Sequence, residues 1–151
     1  MSSPELLLSN QLCFLVHRLD RLINARYKPL LSALGLTYPQ YLAMLALWER
    51  QELGVGELCE ILDLDTGTVS PLLKRMESLG FVERQRRSDD ERAVTVRLSE
   101  AGRALEEKAR TVPGALASCL LRSEAEYGEL KALLSGLIER LDERACGESG
   151  L

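Results

Sequence analysis

Between Val55 and Leu98 the apolar positions change period. They recur at helical spacing twice and then alternate. Leu58, Ile61 and Leu62 stand at i, i+3 and i+4, which predicts a helix from Gly56 to Leu62. Leu62-Asp63-Leu64-Asp65 then makes a turn, and Asp65 is a short carboxylate suited to capping a second helix that runs to about Leu79 and stops at Gly80. In that helix Val69, Leu72, Leu73 and Met76 form the buried stripe, leaving Thr66, Thr68, Ser70, Lys74 and Arg75 outward. Pro71 removes a backbone donor and predicts a slight bend. Phe81 to Arg86 is half apolar, and Ala93 to Leu98 alternates with β-branched residues, so both read as strands around a polar loop, Arg87 to Arg92. Helix, turn, helix and two-stranded wing make a winged helix-turn-helix, and the fold class expected is mainly α with a small β wing.

The flanking segments read as its mounting. Ser3-Pro4-Glu5 has the residues that open a helix, and Leu8, Leu12, Leu15, Leu19, Leu22 and Ile23 keep its stripe, widened by Leu7, Phe14 and Val16. That is more apolar surface than one small core covers, which predicts a second chain against it. Arg26-Tyr27-Lys28-Pro29 is expected to end this helix, with a short one from Leu30 to Leu34 closed by Gly35. Thr37-Tyr38-Pro39-Gln40 is a capping box for a helix to about Arg50, in which Leu42, Leu45, Ala46 and Trp48 are expected in the core. Ser99 caps a helix carrying Ala101, Leu105, Ala109 and Val112, which Pro113-Gly114 kinks or breaks. Leu116, Leu120 and Leu121 resume it. Ser123-Glu124-Ala125-Glu126 caps the last helix, striped by Leu130, Leu133, Leu134, Leu137, Ile138 and Leu141, with a frayed tail after Arg144. The organisation expected is one domain over 1–151, with a reading head at 55–98 and a dimerisation region at 4–34 and 99–145 that holds two heads at half-site spacing.

The outward face of the second helix gives this layout a chemistry. Its short polar side chains let a helix approach base edges in a major groove, while Lys74 and Arg75 reach phosphates. In the wing loop, Asp89, Asp90 and Glu91 are wrong for a surface that merely adheres to DNA. They leave an ordinary solvated turn, or acids that orient Arg87 or Arg92 into a narrow minor groove, Asp90 among them. The net charge of −4 excludes indiscriminate coating of nucleic acid. Thr66 to Arg97, however, holds seven Lys/Arg against five Asp/Glu, leaving −6 on the rest. With 46% hydrophobic and 28% charged residues, the 151-residue chain fits one soluble domain. No apolar run reaches the ~20 residues that cross a bilayer, and a cytoplasmic protein is expected. Cys13, Cys59, Cys119 and Cys146 lie at least 27 positions apart with a single histidine, His17, which gives no metal-site spacing, no cofactor and no disulfide scaffold.

The run Leu62 to Leu79, with Asp90-Glu91-Arg92 and Leu98-Ser99-Glu100-Ala101-Gly102 after it, resembles the MarR family of bacterial transcription regulators. Their wing carries an Asp-x-Arg motif ahead of a Leu-Thr/Ser helix start. Asn10-Gln11-Leu12-Cys13-Phe14-Leu15, Tyr27-Lys28-Pro29-Leu30-Leu31 and Leu36-Thr37-Tyr38-Pro39-Gln40-Tyr41-Leu42 resemble one branch of it, the organic hydroperoxide-responsive OhrR repressors. The resemblance runs over nearly the whole chain. It implies a dimeric repressor that releases operator DNA when a hydroperoxide oxidises Cys13, with Tyr27 and Tyr38 as hydroxyl partners of that sulfur.

The chemistry is consistent with this. A thiol must ionise to attack peroxide, and an isolated one near pKa ~8.5 is mostly protonated at neutral pH. Cys13 is expected well inside its helix, too far from the N-terminus for the dipole to help, so hydrogen bonds from two phenols would favour the anion. By composition alone Cys13 would be a small buried hydrophobe. His17, one turn on, stands where related sequences often carry a third tyrosine. It is either another polarising partner or a half-buried histidine with its hydrogen bonds met. A sulfenic acid on Cys13 condenses with a second thiol. The resemblance makes Cys119 the candidate and Cys146 the second, and Cys59 reads as packing. Three alternatives carry different functions: a MarR-type repressor released by a non-redox aromatic ligand, a thiol peroxidase, and a passive helical dimerisation module. The peroxidase has the thiol but lacks a Cys-x-x-Cys reductant motif. The module leaves Lys74, Arg75 and the wing arginines without a role.

Overall fold

The computed structural model describes residues 3–86 and 94–148. The wing loop with Arg87, Asp90 and Arg92 lies outside them. Among the described residues are seven α-helices and three short strands in the order α1 (Leu12–Ser32), α2 (Tyr38–Arg50), β1 (Glu52–Gly54), α3 (Val55–Leu62), α4 (Thr66–Ser78), β2 (Val82–Arg86), β3 (Val94–Leu98), α5 (Glu100–Ala109), α6 (Thr111–Leu120) and α7 (Glu124–Glu148). The fold is the expected one, mainly α with a winged helix-turn-helix. The chain divides into two compact units, 1–112 and 113–151.

In the first unit, the head forms as its sequence dictates. Asp65 Oδ1 accepts from the Thr68 amide at 2.8 Å, capping α4, and Val69, Leu73 and Met76 are fully buried with Leu72 partly so. The helix runs through Pro71 without interruption. Gly80 at φ 76° closes it, a conformation that costs a glycine nothing. Asp63 at φ 52° makes the turn between α3 and α4, and Leu58 is the buried anchor of α3, whereas Ile61 is exposed. The sheet has order β1-β3-β2, antiparallel throughout, with Val82 opposite Leu98 and Leu53 opposite Val96. β1 has no counterpart in the sequence reading. Three residues carry no alternation to detect, and the strand exists because β3 has an open edge beside it.

Three other expectations are corrected here. The first helix does not open at Ser3-Pro4-Glu5. Pro4–Leu6 and Leu8–Asn10 are isolated 3-10 turns, and α1 begins only at Leu12. The side-chain amides of Asn10 and Gln11 bond the Pro4, Glu5 and Leu7 carbonyls, taking acceptors that a continuous helix would use. At the other end, α1 passes straight through Pro29 instead of stopping at Lys28. The missing bond falls on the carbonyl of exposed Ala25, which water can satisfy, while buried Leu31 and partly buried Tyr27 and Leu30 hold the helix down. In α2 the core residues are Tyr41, Ala43, Met44, Ala46 and Leu47; Leu42 and Trp48 are partly buried and Leu45 is exposed. The run is apolar on every side, so its period leaves the phase open.

After the wing, α5 ends at Ala109, and Pro113 sits in the first turn of a new helix, α6, where its absent N–H costs little. In the second unit α7 continues past Arg144 to Glu148, so the expected frayed tail is helical there. Leu130, Leu133, Leu134, Ile138 and Leu141 on α7 are all exposed.

Candidate functional site

On the head, Thr66, Thr68, Lys74 and Arg75 are exposed and Ser70 is partly buried; Thr68, Lys74 and Arg75 lie away from Val69, Leu73 and Met76, whereas Thr66 stands on the same line of α4 as Leu73 with Ser70 beside it. Thr68 is committed to the cap, since its hydroxyl donates to Asp65 Oδ2 at 3.1 Å. Thr66 and Ser70 line a cleft of about 560 Å³ whose other walls include Glu57 of α3, Arg84 of β2 and Thr95 of β3. The start of α4 and the root of the wing therefore share one concavity. Two arginines that the sequence reading left unassigned fix the wing strands. Arg84 grips Glu77 of α4 through Nε at 2.8 Å and Nη2 at 2.6 Å, and Arg97 grips Glu83 across the β3–β2 pair at 2.7 Å. Hydrogen bonds from Arg84 hold the Glu77 carboxyl below the usual carboxylate range. Seven positions across a turn carry no sequence signal for the first pair. Cys59 is partly buried, its Sγ 3.8 Å from Thr66 Oγ1, in keeping with packing.

At the other end of this unit the phenols assemble. The rings of Tyr27 and Tyr38 lie 4.7 Å apart, Tyr41 stands 5.8 Å from Tyr27, and Trp48 meets Tyr41 edge-on at 6.4 Å. Burial, then the neighbouring phenols of Tyr38 and Tyr41, push Tyr27 up to about 12. Burial, then the Asp20 carboxylate, raise Tyr38 as well. Both are neutral O–H donors at any physiological pH.

Cys13 is elsewhere. It is exposed at the second position of α1, two residues after Gln11 at the N-cap position, and not in the helix interior as expected. Tyr27 follows 14 positions later on the same helix, about 21 Å along its axis. The phenols of one chain therefore do not reach the sulfur of the same chain. His17 is exposed in the single chain. Cys119 is exposed on α6 in the other unit, and Cys146 falls within α7. Leu12, Leu15, Val16, Leu19 and Leu22, beside Cys13 on α1, are all exposed. Among the described residues no helix is long and apolar enough to cross a membrane.

Comparison with known proteins places these features. The family model for the transcriptional regulator SarA/Rot matches residues 25–109. The organic hydroperoxide resistance transcriptional regulator of Bacillus subtilis is 45% identical over 137 residues, 91% of this chain and 93% of that protein. Among solved structures, reduced AbfR bound to DNA superposes with a TM-score of 0.81 at 34% identity, over 96% of this chain and 99% of that one. Disulfide-formed AbfR, a protein of Staphylococcus epidermidis, gives a TM-score of 0.63 at 36% identity, over 91% and 92%. The chain belongs to the MarR/SarA-type winged-helix transcriptional regulators.

Proposed function

We propose that this regulator is a homodimeric repressor that binds double-stranded operator DNA when reduced and releases it when an organic hydroperoxide oxidises Cys13. The observation that carries the reading is a site divided in two on α1. A sulfur stands at one end of an exposed apolar face, and a pair of protonated phenols stands at the other. A twofold pairing of α1 with a second copy, antiparallel and crossing near residues 19 and 20, sets residue 13 of each chain opposite residue 27 of the other. Leu15, Val16, Leu19 and Leu22 lie about that crossing and are covered by it. Tyr27 and Tyr38 of the partner then donate to the sulfur, stabilising the thiolate without adding a cation, and the leucines favour an alkyl peroxide over hydrogen peroxide.

Thr66, Ser70, Lys74 and Arg75 read the major groove. Thr68 adds to that face through its place in the cap, and Arg87 and Arg92, oriented by Asp90, serve the minor groove. Sulfenic acid on Cys13 condenses with Cys119 of the other subunit, Cys146 being the second choice, and this bond changes the spacing of the heads. The names of the relatives, an organic hydroperoxide resistance regulator and a regulator with reduced, DNA-bound and disulfide forms, support this order of events. No cofactor is needed, and a stoichiometric sensor is no peroxidase.

The test is a DNA-binding titration of reduced protein before and after one equivalent of cumene hydroperoxide, for wild type and Cys13→Ser. Release in wild type alone is expected. Release of Cys13→Ser by the same dose, or retention by both, would overturn the reading. Affinity of the reduced form should also fall steeply with salt.

A further inference from the structure

At 100° per residue, Cys13, His17, Asp20, Asn24, Tyr27 and Leu31 fall within about 40° of one line down α1. The far end of this line is fixed, because Leu31 is 1% exposed and Tyr27 packs on Tyr38 of α2. The near end is open, since Cys13, His17 and Asp20 are all exposed. The line runs about a quarter turn from the apolar face of Leu12, Leu15, Val16 and Leu19, so a partner laid on that face would flank the polar line. Within it the spacing is chemical. His17 follows Cys13 by four positions, Asp20 follows His17 by three, and each step brings side chains to within reach on one helix face. Asp20 is also held in place: Asn24 Nδ2 donates to its Oδ1 at 2.9 Å, and the same carboxylate acts on Tyr38 of α2.

We propose that His17 is the proton-transfer residue of the Cys13 sensor and that Asp20 is its positioning residue. The inference rests on Cys13 being the peroxide-reactive sulfur. The imidazole takes the thiol proton, the sulfur attacks the terminal oxygen of the hydroperoxide, an S–O bond forms and the O–O bond breaks. The imidazolium gives its proton to the departing alkoxide. Thiol and hydroperoxide become sulfenic acid and alcohol, with sulfur oxidised by two electrons and the peroxide reduced by the same two. The Asp20 carboxylate fixes the ring and stabilises the imidazolium, as a carboxylate does for histidine in other nucleophilic sites. The charged and titratable groups within about a turn of His17 are Cys13, Asp20, Arg18 and Arg21 on α1; on α2, the element packed against the other half of α1, Tyr38 faces Asp20, and Tyr38 and Tyr41 pack on Tyr27. The phenols hold the anion; His17 supplies and returns the proton. These are separate tasks.

The experiment measures the second-order rate of Cys13 oxidation by cumene hydroperoxide from pH 5.5 to 9.5 in full-length wild type, His17→Gln, Asp20→Asn and Cys13→Ser. Reduced-state DNA affinity serves as the check that each variant is folded and dimeric. We expect His17→Gln to be slower by 10-fold or more at pH 6.5, within the range for general acid–base catalysis. Its rate should converge on wild type toward the alkaline end of the range, where hydroxide can take the thiol proton in place of the imidazole. Asp20→Asn should shift the acid limb of the profile by half a pH unit or more and leave the alkaline plateau unchanged. Equal profiles for wild type and His17→Gln would overturn the inference while leaving Cys13 as the sensor. An Asp20→Asn profile superposing on wild type would overturn the role given to Asp20. A wild type no faster than Cys13→Ser would overturn the sensor reading itself.

Discussion

The reading head and the sensor helix differ in how much of their chemistry one chain completes. Around α3, α4 and the sheet, each described structural feature is answered within the chain. Asp65 caps its own helix, Glu77 holds Arg84, Glu83 holds Arg97, and Leu58, Val69, Leu73, Met76, Val82 and Val96 close a core. Along the first half of α1 little is answered beyond the Asp20–Asn24 bond: the sulfur, the histidine and five large apolar side chains are exposed. A head whose contacts close within its own chain can be carried as a rigid body. In the proposed dimer, a sensor finished only by its partner would make oxidation an event of the assembly.

That contrast is broken most severely at the seam. Leu15 is 54% exposed in the single chain, so Leu15→Asp should leave the fold of one subunit intact. In a twofold interface the charge appears twice, and we expect sedimentation to show monomer at micromolar concentration, with operator affinity reduced at least ~100-fold. A variant that stays dimeric would place the interface elsewhere.

Next in size is Gly102, where α5 meets the head. It is buried, its amide donates to Ser99 Oγ at 3.0 Å, and its carbonyl accepts from Trp48 Nε1 at 2.9 Å. A Cβ there would run into the carbonyl oxygen of Phe81. Gly102→Ala should cost about 2–3 kcal/mol in urea unfolding, the scale of overpacking. It should also change the emission of Trp48, the chain's single tryptophan. An unchanged melting midpoint would mean that the joint yields and the head is less rigid than its packing implies.

The same contrast decides what could be read from sequence. The head was legible because its determinants are local: a stripe with one solvent face, a cap at Asp65 and a stop at Gly80. β1 was not, since Glu52-Leu53-Gly54 becomes a strand only by pairing with β3. The start of α1 was misplaced because the amides of Asn10 and Gln11 bind carbonyls upstream, a contact that no periodicity encodes. Cys13, Tyr27 and Tyr38 could be named through resemblance to a family, but residues alone did not reveal that the sulfur and the phenols lie at opposite ends of one helix. That division became visible once α1 was seen to continue through Pro29. His17 and Asp20 were open to the eye as an i, i+3 pair. They gained meaning when both proved exposed and Asn24 proved to hold the carboxylate.

Smaller effects sharpen the picture inside the head. Asp65→Ala removes both the acceptor for the Thr68 amide and that for its hydroxyl. It should lower stability by about 1 kcal/mol, the usual worth of an N-cap, with Asp65→Asn recovering most of it. Because Thr68 is freed at the same time, operator affinity should fall more than stability does. Equal losses for Ala and Asn would show that charge at the N-terminus of α4 matters more than the hydrogen bond.

The smallest effect carries a sign. Glu77 holds its proton more weakly in the folded chain than its ordinary value of 4.5, chiefly because Arg84 donates to it. The pair's contribution is therefore fully present above that value and fades as pH falls through the lower, folded one. Both side chains are about one-third exposed, 33% for Arg84 and 36% for Glu77, so solvent screens them and the contribution at pH 7 should stay below about 1 kcal/mol. Urea midpoints of wild type and Glu77→Gln should differ at pH 7, approach each other toward pH 3, and approach each other at pH 7 in 1 M salt. A gap that ignores both pH and salt would assign the Glu77–Arg84 contact to packing between α4 and β2 and remove electrostatics from the account of how the wing is held.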